Sequence, residues 1–342
     1  MLKVITILVT GVGGPLGQAI LKALAGAPMQ FRILGVDRTK FSVGLSWVDK
    51  GFVLPDSSRP EAYLPAFREI CANEQPDLIF PGSHGELQLL SQHAQALKED
   101  IGAVVVASSP EVLRIGLNKW ETVGFLQRSG LNFPRTARVE DAEEVRCLIK
   151  EFGFPLIAKP VGGAGSQNLF KIKSKKEIEY VRSLGIEMIL QEYLWPDDQE
   201  YTVGVYTLKN GQTVGAIAMK RELAAGVTYR ARVDRNPRIE EEAIAVVKAL
   251  HPFGPCNVQL RLTERGPVTF EINPRFSGTT GMRAHFGYNE AEMAIRDLVL
   301  DQVVATPQVE PGVALRFWDE IYLDEQGENP SRKGHGVQSF RC

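Results

Sequence analysis

"NVQLRLTERGPVTFEINPR", Asn257–Arg275, is the stretch on which the reading of this chain turns. Successive side chains of an extended strand face opposite ways, so Val258, Leu260 and Leu262 share one face while Asn257, Gln259 and Arg261 take the other. The second run behaves likewise, with Val268, Phe270 and Ile272 opposed to Thr269, Glu271 and Asn273. Between the runs, "ERG" suits a three-residue hairpin loop with Gly266 in the left-handed region. That pairing sets Gln259 opposite Glu271, with Asn273 one step along on the same face. A carboxylate and two amides converging there suit a hard cation such as Mg²⁺, whose other ligands would be phosphate oxygens and water. A half-exposed sheet with a solvated polar face is the plain alternative.

Upstream, "PLIAKPV" alternates so that Ile157, Lys159 and Val161 share a face, and "GGAGS", Gly162–Ser166, follows at once. Glycines let backbone N–H groups approach phosphate oxygens closely, so a lysine and such a loop form the chemistry of a triphosphate clamp. Glycine-rich hairpins without any ligand share the pattern.

Residues 1–108 have a different rhythm. The apolar runs "VITILV", "RILGVD", "DLIFPG" and "AVVVAS" alternate with helical segments such as "PLGQAILKALA", in which Leu16, Ala19, Ile20, Ala23 and Leu24 share one face. That order predicts a parallel sheet with helices on its faces. The loop "TGVGGPLGQ" joins the first strand to a helix starting near Pro15, and Asp37 ends the second strand, which approximates a dinucleotide fingerprint. A short-chain dehydrogenase would also need Tyr with Lys four residues on, and none of the eight tyrosines has that partner. Ser83, His84 and Glu86 of "PGSHGELQLL" fall at the carboxyl edge of the sheet, where open α/β sheets bind ligands. Downstream, helices near 119–129, 175–183 and 237–250, set apart from strands such as "EMILQEYL" and "EYTVGVYT", indicate an α+β portion.

The chain has 342 residues, enough for two or three domains, and a net charge of -2, which gives no electrostatic case for nucleic acid or an anionic membrane. The apolar segment Lys3–Val9 is shorter than a membrane span. Cys71, Cys147, Cys256 and Cys342 have neither metal nor disulfide spacing and read as free thiols of a cytoplasmic protein.

Lys119 with Trp120, Glu121 and Thr122 in "NKWET", Lys159 with "GGAGS", then "LQEYL", "QEYTV", "NVQ" and "FEINPR" occur in the order and spacing of the ATP-grasp family. The chain most resembles one half of the large chain of carbamoyl-phosphate synthetase, over about residues 3–300. The resemblance implies an ATP-grasp fold behind a doubly wound, Rossmann-like parallel-sheet domain, an α/β unit followed by an α+β one. Its parts would be a leading substrate domain at 1–108, a lid at 109–190, a hinge and metal part at 191–301 and an extension at 302–342. Lys119 and Lys159 would contact the ATP phosphates from two sides, with the Gly163, Gly165 and Ser166 loop closing over them. Glu192, Tyr193 and Leu194, with Gln191 assisting, would form the adenine hinge, and Glu200 would hold the ribose. Gln259, Glu271 and Asn273 would face Mg²⁺ or Mn²⁺, and Arg275 would meet the transferred phosphate, with Lys159 and Asn273 as further catalytic groups. Lys220 and Arg221 could reach the same phosphates.

The activity implied is a carboxylate-amine ligation through an acyl phosphate, acting on a small-molecule carboxylate and an amine, with a homodimer as the assembly to test. One departure matters. After Asn-Pro-Arg the synthetase pattern continues with serine and a second arginine associated with bicarbonate, whereas here Gly278 stands in that place and Arg283 is the next arginine. This favours an organic carboxylate over bicarbonate. A nucleotide-binding regulator without ligation is the rival of a different class. Residues 222–238 read as a loop over the cleft, in which Arg230 and Arg232 could meet an anion, and the segment beyond residue 300 carries no motif of known chemistry.

Overall fold

The computed structural model describes residues 4–163 and 168–325. Gly165, Ser166, Cys342 and the part of the extension beyond residue 325 lie outside the described residues. The leading part comprises β1 (Ile5–Thr10), α1 (Pro15–Ala25), β2 (Phe31–Asp37), β3 (Lys50–Val53), α2 (Pro60–Glu74), β4 (Leu78–Phe80), α3 (His84–Ile101) and β5 (Val104–Val105). Its strands are parallel in the order β3-β2-β1-β4-β5, the doubly wound arrangement expected from the alternation of apolar runs and helices. Pro15 opens α1, where its missing N–H costs nothing. Ala19, Ile20, Ala23 and Leu24 are buried as expected while Leu16 is half-buried, and Gly17 and Leu21 join them because the helices Thr280–His285 and Glu290–Leu298 also pack on this one.

Helices α4 (Pro110–Leu117) and α5 (Lys119–Arg128) lead to a small antiparallel sheet. It is built from β6 (Thr136–Arg138), α6 (Ala142–Phe152), β7 (Leu156–Pro160), β8 (Phe170–Ile172), α7 (Lys175–Ser183) and β9 (Met188–Glu192), with strand order β6-β9-β7-β8. The small sheet has its own core, including Ala137, Val145, Leu148, Leu156, Ile178 and Leu190. Although α4 and α5 precede it in the chain, Phe125 and Leu126 are buried with Val203, Val258 and Ile272 of the next sheet.

That large sheet is antiparallel and six-stranded: β10 (Glu200–Thr207), β11 (Thr213–Ala224), β12 (Val227–Val233), then α8 (Pro237–Leu250), β13 (Gly254–Thr263), β14 (Gly266–Asn273), α9 (Thr280–His285), α10 (Glu290–Leu298) and β15 (Val313–Leu315), ordered β14-β13-β10-β11-β12-β15. One continuous core joins it to the leading sheet, with Ile7, Val9 and Ile20 beside Tyr206, Ile217, Phe276 and Tyr288. These two parts therefore form one packed body, beside which the small sheet stands on a core of its own.

Two expectations are corrected here. Residues 222–238 are not a cleft loop: β11 and β12 form a hairpin through Ala225 and Gly226, both at positive φ as a tight two-residue turn requires, and α8 begins at Pro237. Arg230 and Arg232 lie in register with Leu315 and Val313 of β15, so they belong to a sheet ladder. The second correction concerns the hairpin of β13 and β14. Thr263 pairs with Gly266, leaving a two-residue turn where three residues were expected, with Gly266 at φ +108°. The register then slips at Phe270, since Leu260 pairs with Thr269 but Gln259 with Glu271. This β-bulge restores the expected pairing of Gln259 with Glu271 while moving Phe270 off the apolar face.

Candidate active site

The cleft lies between β7 of the small sheet and the hairpin of β13 and β14. Lys159, on β7, is only 6% exposed, and its Nζ lies 3.4 Å from the carbonyl oxygen of Phe270 and 5.6 Å from that ring's centroid. Burial pulls this ammonium down to about 8 against the upward pull of Glu271, with Lys119 adding to the decrease. Lys119 opens α5 behind the N-cap Asn118, whose Oδ1 accepts from Glu121 N–H at 3.0 Å. Its own N–H donates to Val161 O at 2.8 Å and its Nζ to Gly163 O at 3.1 Å, so it spans from α5 to the glycine segment after β7. Burial lowers its pKa too, again opposed by Glu271.

Glu271 is the charge facing both lysines. Burial pushes its carboxyl up, but the Asn273 amide and then Lys119, Lys159 and Arg221 outweigh this and hold it below the usual carboxylate value. Asn273 Nδ2 donates to Glu271 Oε1 at 2.8 Å and Gln259 Nε2 to the same oxygen at 3.4 Å. The two amide oxygens face arginines: Arg221 Nη2 donates to Gln259 at 2.7 Å and Arg275 Nη2 to Asn273 at 2.7 Å. All three residues expected on the metal face are thus together, with Arg275 beside them.

As a donor set these groups are hard oxygens suited to Mg²⁺, and rotating either amide presents oxygen where nitrogen now stands. Among the described residues no group of three or more His, Cys, Asp or Glu side chains could hold a metal by itself. A divalent cation would fit here only when phosphate oxygens complete its coordination.

The hinge residues are differently placed. Gln191 is buried in the small sheet with its Nε2 donating to Thr136 Oγ1 at 2.8 Å. The Glu192 carboxylate accepts from Arg135 N–H at 2.7 Å and pairs with Arg265 of the hairpin turn. The side chains of both residues are therefore engaged in structural contacts. Tyr193 donates to Asp197 and lies under Lys171, 3.9 Å from ring centroid to Nζ. Leu194 O accepts from Arg261 Nη1 at 2.7 Å. Glu200, expected on the ribose, accepts from Arg221 Nε at 3.0 Å through one oxygen and pairs with Arg261 through the other. Lys220 turns instead to the surface carboxylate of Asp198, at 3.2 Å.

Sequence reasoning missed two arginines, Arg261 and Arg316, and gave a third, Arg221, a different partner. Arg221 links Glu200 to Gln259; its place at the end of an apolar strand beside Lys220 was the available signal. Arg261 faces the hinge, as the alternation of "NVQLRL" requires. Arg316, just beyond β15, donates to Gly278 O at 2.6 Å, with burial lowering its pKa. Arg283 is fully buried against Glu290, at 2.6 Å, and against Asn257, at 2.6 Å, so it supports the site from below.

The family model described as "ATP-grasp in the biosynthetic pathway with Ter operon" matches residues 186–320, which include the hinge, Glu200, the metal face, Arg275 and Arg316. Among curated proteins the chain is similar to the carbamoyl phosphate synthase large chain of Kocuria rhizophila, at 24% identity over 254 residues, which is 66% of this chain but 22% of that one. It is also similar to the formate-dependent phosphoribosylglycinamide formyltransferase of Methanocaldococcus jannaschii, at 20% identity over 88% of this chain and 78% of that one. Among solved structures, the N5-carboxyaminoimidazole synthetase of Staphylococcus aureus complexed with ADP superposes with a TM-score of 0.73 at 16% identity, covering 92% of this chain and 83% of that one. The biotin carboxylase of Campylobacter jejuni gives 0.72 at 17% identity, covering 91% and 74%. The chain therefore has an ATP-grasp fold over 92% of its length, and its residues 186–320 match an ATP-grasp family model.

Proposed function

We propose that the chain is an ATP-dependent carboxylate-amine ligase, which phosphorylates a small organic carboxylate to an acyl phosphate and lets an amine displace the phosphate. The observation that carries this reading is the convergence of Lys119, Lys159, Glu271, Gln259, Asn273 and Arg275 in one cleft. In the first step a carboxylate oxygen attacks the terminal phosphorus and ADP leaves; in the second the amine nitrogen attacks the acyl carbon, phosphate leaves and the nitrogen gives up a proton. Phosphoryl transfer depends on positioning and charge neutralisation, which matches a site with many cations and, among the described residues, no nucleophile–base pair.

In this scheme Lys119 and Lys159 hold the phosphates from α5 and β7, and Arg275 offsets charge on the transferred group. Glu271, with Gln259 and Asn273, would hold a magnesium ion, which neutralises phosphate charge when bound. Glu200 would meet the ribose by sharing its oxygens with Arg221 and Arg261. The preference for an organic acid over bicarbonate rests on Gly278: no atom of the described residues lies within 4 Å of where its Cβ would stand, so the place of the synthetase's second arginine is open.

The test is to incubate the pure protein with ATP, Mg²⁺ and a panel of carboxylates, with and without amines, and to follow ADP and phosphate release. Release that needs both an organic acid and an amine supports the ligase. Stimulation by bicarbonate alone overturns the substrate assignment, and tight ATP binding without release from any pair favours a regulator.

A further inference from the structure

One side chain of the leading part, at the start of α3, reaches Arg275. His84 is the first residue of α3, held by a cap in which Ser83 Oγ accepts Glu86 N–H at 3.3 Å. Its Nε2 lies 2.9 Å from Nη2 of Arg275. A guanidinium only donates, so the imidazole must accept through Nε2 and carry its proton on Nδ1. Burial first, and the charge of Arg275 second, pull the ring down to about 4, so it is the neutral acceptor at neutral pH.

Arg275 is 7% exposed and has three acceptors for its two terminal nitrogens: Asn273 Oδ1 and Phe276 O, each at 2.7 Å, and His84. The first two belong to the same short segment as Arg275 and move with it. His84 comes from α3 of the leading part, and only an anchor outside the segment fixes the planar fork relative to the rest of the molecule. Helix α4 and the residues just before it also grip the segment from behind. A Cβ on Gly116 would stand 2.4 Å from Pro274 Cδ, and Ser108 Oγ is 3.5 Å from Pro274 O.

We propose that His84 is a positioning residue for Arg275: delivered by the first turn of α3, its Nε2 sets the guanidinium plane at the phosphate end of the cleft and makes the leading sheet part of that site. This rests on the reading that Arg275 meets the transferred phosphate.

The test compares binding of Mg²⁺ with adenylyl imidodiphosphate, a triphosphate that is not cleaved, and of Mg²⁺ with ADP, in the full chain and in His84→Leu, His84→Gln, His84→Asn and Arg275→Met. His84→Leu is expected to lower triphosphate affinity about tenfold while changing ADP affinity less than about twofold. Glutamine, whose oxygen reaches where Nε2 stood, should restore the preference; asparagine, which is shorter, should not. Should the leucine variant fail to fold, the contrast between glutamine and asparagine decides. Equal losses for both nucleotides, or an unchanged ratio in His84→Leu beside a collapsed ratio in Arg275→Met, overturn the inference. An unchanged ratio in Arg275→Met overturns instead the placement of Arg275 at the phosphates.

Discussion

Two glycine-rich segments follow apolar strands in this chain, and glycine serves opposite ends in them. After β1, a Cβ on Gly17 would stand 2.3 Å from Gly11 O, and one on Gly13 would stand 2.2 Å from Ser42 Oγ. Gly82, after β4, would bring its Cβ within 2.1 Å of Thr10 O. The Gly13 N–H is already bound by Asp37 Oδ2 at 2.8 Å, the acid that a dinucleotide enzyme would keep for ribose. After β7, by contrast, no atom of the described residues lies within 4 Å of a Cβ on Gly162 or Gly163. In the first region the missing side chains make room for the chain's own backbone. In the second no described atom takes up the space, and Lys119, whose Nζ reaches Gly163 O, and Lys159 stand beside it.

This contrast can be broken by substitution, since the cleft should lose chemistry without stability and the packed loop stability first. The largest effect is expected from Glu271→Gln, which removes the one carboxylate of the metal face: turnover with the best substrate pair should fall at least about a thousandfold, roughly 4 kcal/mol, with the melting temperature little changed. Normal ADP release from this variant would take the metal face out of the mechanism. Next is Gly82→Ala, whose new methyl meets backbone rather than a flexible side-chain end, and which should cost about 3 kcal/mol in urea unfolding. A cost below about 1 kcal/mol would mean that the loop is not packed shut.

The third effect is a pH dependence. Lys159 is charged below about 8 and loses its proton as pH rises through that value, so the proposed contact of its ammonium with phosphate would be present at neutral pH and lost on the alkaline side. Triphosphate affinity should therefore fall about tenfold between neutral and strongly alkaline buffer, and Lys159→Arg, whose guanidinium stays charged, should flatten the fall. A flat profile in the unaltered protein would place Lys159 away from the phosphates. The smallest effect is expected from Gly162→Ala: within about 0.5 kcal/mol of the parent in unfolding, because the methyl meets no described atom.

Where local pattern and burial agree, the fold was legible. Helix α8 runs from Pro237 to Leu250 as its periodicity required, and Ile239, Ala243, Val246, Val247 and Leu250 are its buried residues. The site was legible where one strand's alternation carries it: Gln259 does lie opposite Glu271. That success had a mixed cause, since the turn is one residue shorter than expected and the bulge at Phe270 makes up the difference. The β12 strand was missed although its alternation was present, with buried Ala231 and Val233 alternating with exposed Arg230 and Arg232; two arginines in so short a strand mask its period. The pairing of Glu200 with Arg221 and Arg261, and the reach of Arg316 to Gly278, could not have been read from any window of sequence. They depend on which strands become neighbours, a property of the whole sheet.

The bulge at Phe270 acts as a phase shifter within a single strand. Between Gly266 and Thr269 the alternation of β14 is timed by the turn, and from Glu271 to Asn273 it is timed by the cleft. The aromatic ring at the shift does not rejoin the core but stands against the ammonium of Lys159. A residue that looks like an error in the ladder thus serves as the boundary between a part of the strand that obeys its hairpin and a part that obeys its chemistry.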